Sequence, residues 1–292
     1  MKGIYSALMG VFGPDGNVNE MGLRALIRHN LDHCHVDGLY VNGSTGETFL
    51  MTQAQRKETL RIAAGEAKDQ ARLIAHVGVL SMDEIFDMAA FAADLGYDAV
   101  SAVTPFYFKY SAREIVQYYR DIAEKSALPV VAYYIPHLSG VTMNAATLCE
   151  ILDIPGIAGI KFTSNDFFAL ERVRAARPDA LILSGFDEML LSAAVLGTDG
   201  AIGSTYNIMG HWAKKVYESA RAGDLAAARE AQGHMNTVIA KLLDAGLFPT
   251  LKAVTALYGI DAGECKRPMS PTTDAQRAAA REIVQYIEGT RP

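Results

Sequence analysis

Gly38-Leu39-Tyr40-Val41-Asn42-Gly43-Ser44-Thr45-Gly46-Glu47 decides between two ways of folding an alternating α/β chain. A short apolar run ends at Val41 and opens into a glycine-rich turn, where a doubly wound dinucleotide fold would carry GxGxxG. That spacing is missing here and after every other strand candidate. The candidates are Ile4–Met9, Gly38–Val41, Arg72–His76, Ala99–Val103, Val130–Ile135, Ala158–Phe162, Ala180–Leu183 and Gly200–Gly203. Each is followed by a longer helical pattern, the mark of parallel strands joined by crossover helices. Eight such units without a dinucleotide turn predict an α/β fold, the (β/α)8 TIM barrel.

The helices carry their own start and stop signals. Thr52 with Gln55, Ser81 with Glu84 and Ser111 with Glu114 fit the capping box. Gly96 and Gly197 follow helix ends, and Pro129 and Pro178 lead into strands. Beyond about residue 210 strands cease, and Met235, Val238, Ile239, Leu242 and Leu243 form an apolar stripe. The expected division is a catalytic barrel over residues 1–222 and a C-terminal helical extension over 223–292, packed on the barrel without a flexible linker.

Composition narrows the function. Half of the 292 residues are apolar, enough for one large core. The formal charge is −6 and the basic residues are scattered, which argues against nucleic acid and anionic lipid as partners. Cys34, Cys149 and Cys265 are odd in number and far apart, as expected of reduced thiols in the cytoplasm. The apolar run Ile4–Phe12 is stopped by Gly13-Pro14-Asp15-Gly16-Asn17, so it reads as a buried first strand and not a signal peptide. No stretch approaches the ~20 apolar residues of a membrane helix.

In a barrel the chemistry gathers where strands end. Lys161 lies near the end of Gly156-Ile157-Ala158-Gly159-Ile160-Lys161-Phe162-Thr163, on the face shared with Gly159 and Thr163. An amine taken out of water is disposed toward its neutral form, which attacks a ketone to form a Schiff base. Tyr133 ends the preceding strand, about 4.8 Å away across the sheet, so phenol and amine can meet over one bound molecule. Ser44 and Thr45, in a tight turn between glycines, offer hydroxyls and converging N–H groups that grip a carboxylate. Together they predict a 2-oxo acid substrate. Asp187 and Glu188 read as acids favoured at a helix start.

Several segments carry a resemblance. They are Gly38 to Glu47, Ser101-Ala102-Val103-Thr104-Pro105-Phe106-Tyr107, Tyr133-Tyr134-Ile135-Pro136, Gly159 to Thr163, Gly185-Phe186-Asp187-Glu188, and Gly203-Ser204-Thr205-Tyr206-Asn207-Ile208-Met209-Gly210. Over essentially the whole chain the sequence resembles the dihydrodipicolinate synthase and N-acetylneuraminate lyase family of class I pyruvate aldolases. The resemblance implies a retro-aldol reaction on sialic acid. Lys161 would form the Schiff base and Tyr133 would handle the proton of the hydroxyl beside the breaking bond. Ser44 and Thr45 would hold the carboxylate, while Thr163, Gly185, Asp187, Glu188 and Ser204 would hold the hydroxyl chain. Tyr107 would reach the neighbouring subunit's site in a homotetramer. The protonated imine is the electron sink, so no metal or organic cofactor is expected.

Within the family, synthases place an arginine two residues after the proline that follows the reactive tyrosine. Leu138 stands there, which removes a bidentate clamp for a second carboxylate and makes the synthase the runner-up. An aldolase or dehydratase for another 2-oxo sugar acid is a further alternative, and a catalytically silent sugar-acid-binding regulator is the non-enzyme one. Three departures stand near the site: Gly10-Val11 where relatives often show Thr-Pro, Tyr134 where many have asparagine, and His137 after Pro136. Asp32-His33-Cys34-His35 and His76 raise a metal site, but His33 and His35 are spaced to point apart.

Overall fold

β1 (Gly3–Ala7), β2 (Gly38–Val41), β3 (Arg72–His76), β4 (Ala99–Val103), β5 (Val130–Tyr134), β6 (Ile157–Phe162), β7 (Leu181–Ser184) and β8 (Gly200–Gly203) pair in chain order, all parallel. β8 closes on β1, with Gly3 opposite Gly200 and Ser6 opposite Gly203. This is the expected barrel, seen in a computed structural model that describes residues 1–67 and 69–291. Lys68 and Pro292, the last residue of the expected extension, lie outside the described residues. Strands β2, β3, β4 and β8 keep the bounds expected from sequence, and the others differ by one or two residues at their ends.

Alternation along each strand sorts the core into two clusters. Tyr5, Tyr40, Ile74, Val131, Tyr133, Leu183 and Ile202 fill the barrel interior. Ile4, Leu39, Val41, Val130, Ala132, Ile160, Phe162 and Ile182 face the surrounding helices. In β6 this outward pair fixes the register. Ile160 and Phe162 are buried between barrel and helices, each contributing about 1.5–3 kcal/mol. A slip by one residue would exchange them with Gly159 and Lys161.

The helical layer comprises α1 (Glu20–Asp32), α2 (Gln53–Ala67), α3 (Met82–Asp94), α4 (Ala112–Lys125), the short α5 (Pro136–Ser139), α6 (Ala145–Leu152), α7 (Phe167–Ala176), α8 (Leu190–Val195) and α9 (Tyr206–Arg221). Reciprocal capping bonds start α2, where Thr52 and Gln55 exchange backbone-to-side-chain bonds of 3.1 and 3.2 Å, and α4, where Ser111 and Glu114 do the same. Gly96 and Gly197 adopt φ of +79° and +87°, the left-handed conformation that ends α3 and α8.

Three more helices follow: α10 (Leu225–Ala245), α11 (Leu247–Leu257) and α12 (Asp274–Thr290). α10 packs along α9 and α12, and α11 packs on α12. Met235, Val238, Ile239 and Leu242 are buried as expected, but Leu243 is 59% exposed. It follows Leu242 directly, so the helix turns it about 100° off the buried stripe. Among the described residues no helix is long and apolar enough to cross a membrane.

Candidate active site

Tyr133 and Lys161 are direct partners in the β5–β6 register, and both point into the barrel. Lys161 Nζ lies 4.2 Å from the centre of the Tyr133 ring and 4.5 Å from that of Tyr40. Lys161 is 5% exposed, and among the described residues no carboxylate comes within salt-bridge distance of it. Beneath these groups His76 packs at 6.0 Å from Tyr40 and 6.1 Å from Tyr133. Burial, then the charges of Arg56 and Lys161, push its imidazole down to about 3. The neutral ring accepts the Val103 N–H at Nε2 (3.2 Å), which holds it as a fixed floor for the two phenols. The Tyr40 hydroxyl is tied to Ser101 Oγ at 2.9 Å.

The Gly43–Glu47 segment turns as a short 3-10 helix over Ser44–Gly46. Thr45 Oγ1 and Ser204 Oγ are 2.6 Å apart, so the loops after β2 and β8 meet across the end of β1. The Thr45 carbonyl accepts the Gly10 N–H at 3.3 Å. A Cβ on Gly10 would stand 2.8 Å from the Phe12 ring and 2.9 Å from the Gly46 carbonyl oxygen, so this backbone has no room for a side chain there. Glu47, at φ +60°, closes the turn and points away from the cavity into a buried ion pair with Lys252 (2.8 Å), both side chains 1% exposed. Its other oxygen accepts the Lys266 N–H at 2.6 Å.

On the opposite side Gly185 is obligatory. A Cβ there would lie 1.8 Å from Thr163 Oγ1 and 3.2 Å from Lys161 Cε. Thr163 Oγ1 is buried at the cavity wall without a partner among the described residues. Asp187 is a brace: its Oδ2 accepts both the Thr205 N–H (2.8 Å) and the Thr205 hydroxyl (2.6 Å). Burial raises its carboxyl to about 6 despite those bonds. Glu188 is half-buried beside it and is the freer acceptor at the mouth. Gln232 of α10 donates to the Asp187 carbonyl at 3.0 Å and accepts the Leu191 N–H at 2.9 Å, so the extension anchors this acidic turn.

Ser44, Thr45, Tyr133, Lys161, Thr163, Gly185, Asp187, Glu188 and Ser204 all line one cavity of 290 Å³ at the C-terminal end of the barrel. Tyr107 does not. It is 82% exposed, at φ +77°, in an adjoining groove that shares His137 and Leu138 with the mouth. His137 stacks on Phe186, their rings 5.5 Å apart. Tyr134 faces outward, packs on Phe162 and bonds the Met143 backbone at 3.3 Å, so it does not line the mouth. Among the described residues no three His, Cys, Asp or Glu side chains are arranged to hold a metal.

Sequence reading missed two parts of this site. Tyr40 and His76 reach Lys161 and Tyr133 from β2 and β3; the sequence raised His76 only as a metal ligand, and the only signal for Tyr40 is its inward place in the alternation. Ile239, Leu243, Leu247 and Phe248 form an apolar wall of the cavity from α10 and α11, which nothing in the local sequence announces.

The Dihydrodipicolinate synthetase family profile matches residues 1–287. An N-acetylneuraminate lyase from Clostridium perfringens is 49% identical over 283 residues, spanning 97% of this chain and 98% of that protein. The crystal structure of CdNal from Clostridium difficile in complex with mannosamine superposes with a TM-score of 0.96 at 46% identity, covering 98% of both chains. That of N-acetylneuraminate lyase from Fusobacterium nucleatum complexed with pyruvate gives 0.93 at 46% identity, covering 98% and 96%.

Proposed function

Because the chain belongs to the dihydrodipicolinate synthetase family, we propose that it is a class I aldolase that cleaves N-acetylneuraminate to pyruvate and N-acetylmannosamine. The observation that carries this reading is the register pairing of Tyr133 with Lys161 in a cavity that also holds the Ser44–Thr45 turn. Lys161 adds to the C2 ketone of the open-chain sugar acid, water leaves, and a protonated imine results. The carboxylate beside it rests on the Ser44–Thr45 turn. Tyr133 takes the proton of the hydroxyl on the carbon across the breaking bond. The bonding pair flows into the imine, N-acetylmannosamine departs as the aldehyde, and the enamine is protonated and hydrolysed to pyruvate and free Lys161. Thr163, Gly185, Asp187, Glu188 and Ser204 line the path of the hydroxyl chain, with Glu188 as its principal acceptor.

Leu138 and the apolar wall of Leu243 and Phe248 support a sugar acid over an aldehyde bearing a second carboxylate, since none of them can clamp one. The test is pyruvate release from N-acetylneuraminate set against condensation of pyruvate with aspartate semialdehyde. Cleavage at the higher kcat/KM is expected, and activity in the condensation alone contradicts the reading.

Tyr107 supports a homotetramer. A tyrosine at positive φ costs about 1–3 kcal/mol unless its surroundings impose it, and an exposed one beside the 62%-exposed Phe108 gains its reward at a subunit contact. Light scattering should give four chains, and a fully active monomer contradicts the assignment. The three thiols are unpaired and buried, which supports a reducing cytoplasm.

A further inference from the structure

The histidine-rich Asp32–His35 segment, which the aldolase reading leaves unused, borders a second cavity. It measures 410 Å³ and shares no lining residue with the catalytic mouth. His29 and His33 reach it from the end of α1, His211 from α9, Tyr258 from the end of α11, and Glu288 and Arg291 from the end of α12. His29 packs 5.0 Å from Tyr258 and 5.5 Å from His33, ring centre to ring centre.

His29 is 9% exposed, and neither its Nε2 nor either ring nitrogen of His211 has a partner among the described residues. Buried polar atoms are nearly always partnered, so three around one cavity point to a polar occupant. Among the described residues no three His, Cys, Asp or Glu side chains here are arranged to hold a metal ion. The Cys34 thiol beside them is pushed up to about 12 by burial and stays protonated. The lining carries, among the described residues, one guanidinium, Arg291, and one carboxylate, and a hydroxyl already meets the carboxylate, which leaves the guanidinium to draw an anion. Glu288 is the one carboxylate among the described lining residues, and it accepts the Tyr258 hydroxyl at 3.1 Å. Arg291 donates to the His33 carbonyl at 2.7 Å, which fixes a guanidinium at the rim.

We infer that this cavity is a binding site for a small oxyanion, the phosphate or carboxylate of a metabolite, held by Arg291, His29 and His211. Burial first, then His33 and Arg291, lower His29 to about 4; burial, then Arg291, His35 and His29, lower His211 to about 4. Both rings are therefore neutral near pH 7. Burial is the larger cause, and a negative charge beside the rings offsets it by favouring their protonated, donating form. Binding takes up protons, and affinity rises as pH falls.

Sulfate tests this, because its own charge does not change between pH 6 and pH 8. Calorimetric titration of the whole protein, in buffers of different ionisation heat, should show saturable binding at millimolar concentration. It should also show proton uptake and affinity several-fold tighter near pH 6 than near pH 8. His211→Gln and Arg291→Gln should abolish binding yet still form the pyruvate adduct on Lys161, which shows that they fold and that this site stands apart from the catalytic reading. Competition with a hexose 6-phosphate and with lactate then tells phosphate from carboxylate. Absence of saturable binding near pH 6, binding unchanged in both variants, or displacement by neither competitor overturns the proposal.

Discussion

Lys161 is aimed into the mouth by neighbours that point the other way: Ile160 and Phe162 lock β6 against the helices, and the alternation does the rest. Around it, space is rationed by Gly185. Gly185→Ala would drive a methyl group into Thr163 Oγ1 and against the Lys161 stem. A displacement of that order costs about 100-fold in kcat, so steady-state rates should fall that far while the circular dichroism spectrum is retained; an unaltered kcat contradicts the packing argument. Asp187 yields a pH prediction. Its carboxyl is raised on folding to about 6, so between 3.8 and 6 the folded chain binds more protons than the unfolded one. Stability from this group is full below the lower value and is lost as pH rises through about 6. Asp187→Asn should therefore gain thermal stability relative to the parent more at pH 8 than at pH 5, while losing kcat/KM for the sugar acid. Parallel Tm curves across that range would refute the assignment. At this scale the meeting of Lys161, Tyr133 and the Ser44–Thr45 turn in one cavity was legible because strand period and turn chemistry are local. Tyr40 and His76 were not, because they meet Lys161 and Tyr133 only through barrel closure.

Among the elements, the Ser44–Thr45 turn is secured by a buried ion pair from outside the barrel. Glu47 leaves it to meet Lys252 of α11, and the Lys266 backbone joins them. A buried ion pair is weak evidence of net stabilisation, but removing one partner strands the other charge. Lys252→Met alone should lower the unfolding free energy by about 3–5 kcal/mol in urea titrations, and Glu47→Gln with Lys252→Met should recover much of it. Equal loss in the single and double variants would show that the pair is not what holds the turn. Capping boxes and left-handed glycines made the barrel helices readable. The role of α10 and α11 was not readable, since Gln232, Leu243 and Phe248 acquire their meaning only by touching the Asp187 turn and the mouth. Leu243, turned off the buried stripe, lines that mouth instead.

Across the whole molecule, α9 joins the two cavities. Its start follows Ser204 and Thr205 at the catalytic mouth, and His211 lies little more than a turn further on at the histidine cavity. Asn207 between them donates to the Ala7 and Ser204 carbonyls and accepts from Asn30 and Met9, which ties β1, α1 and the β8 loop together. The barrel itself was readable from eight alternating units, but a second cavity assembled from α1, α9, α11 and α12 belongs to no local pattern. The central claim is covalent chemistry at one amine. Treating the protein with pyruvate and borohydride, then mapping peptides by mass, should place a reduced pyruvyl adduct on Lys161 and leave Lys161→Ala unlabelled; an unmodified Lys161, or an adduct on another lysine, contradicts the account.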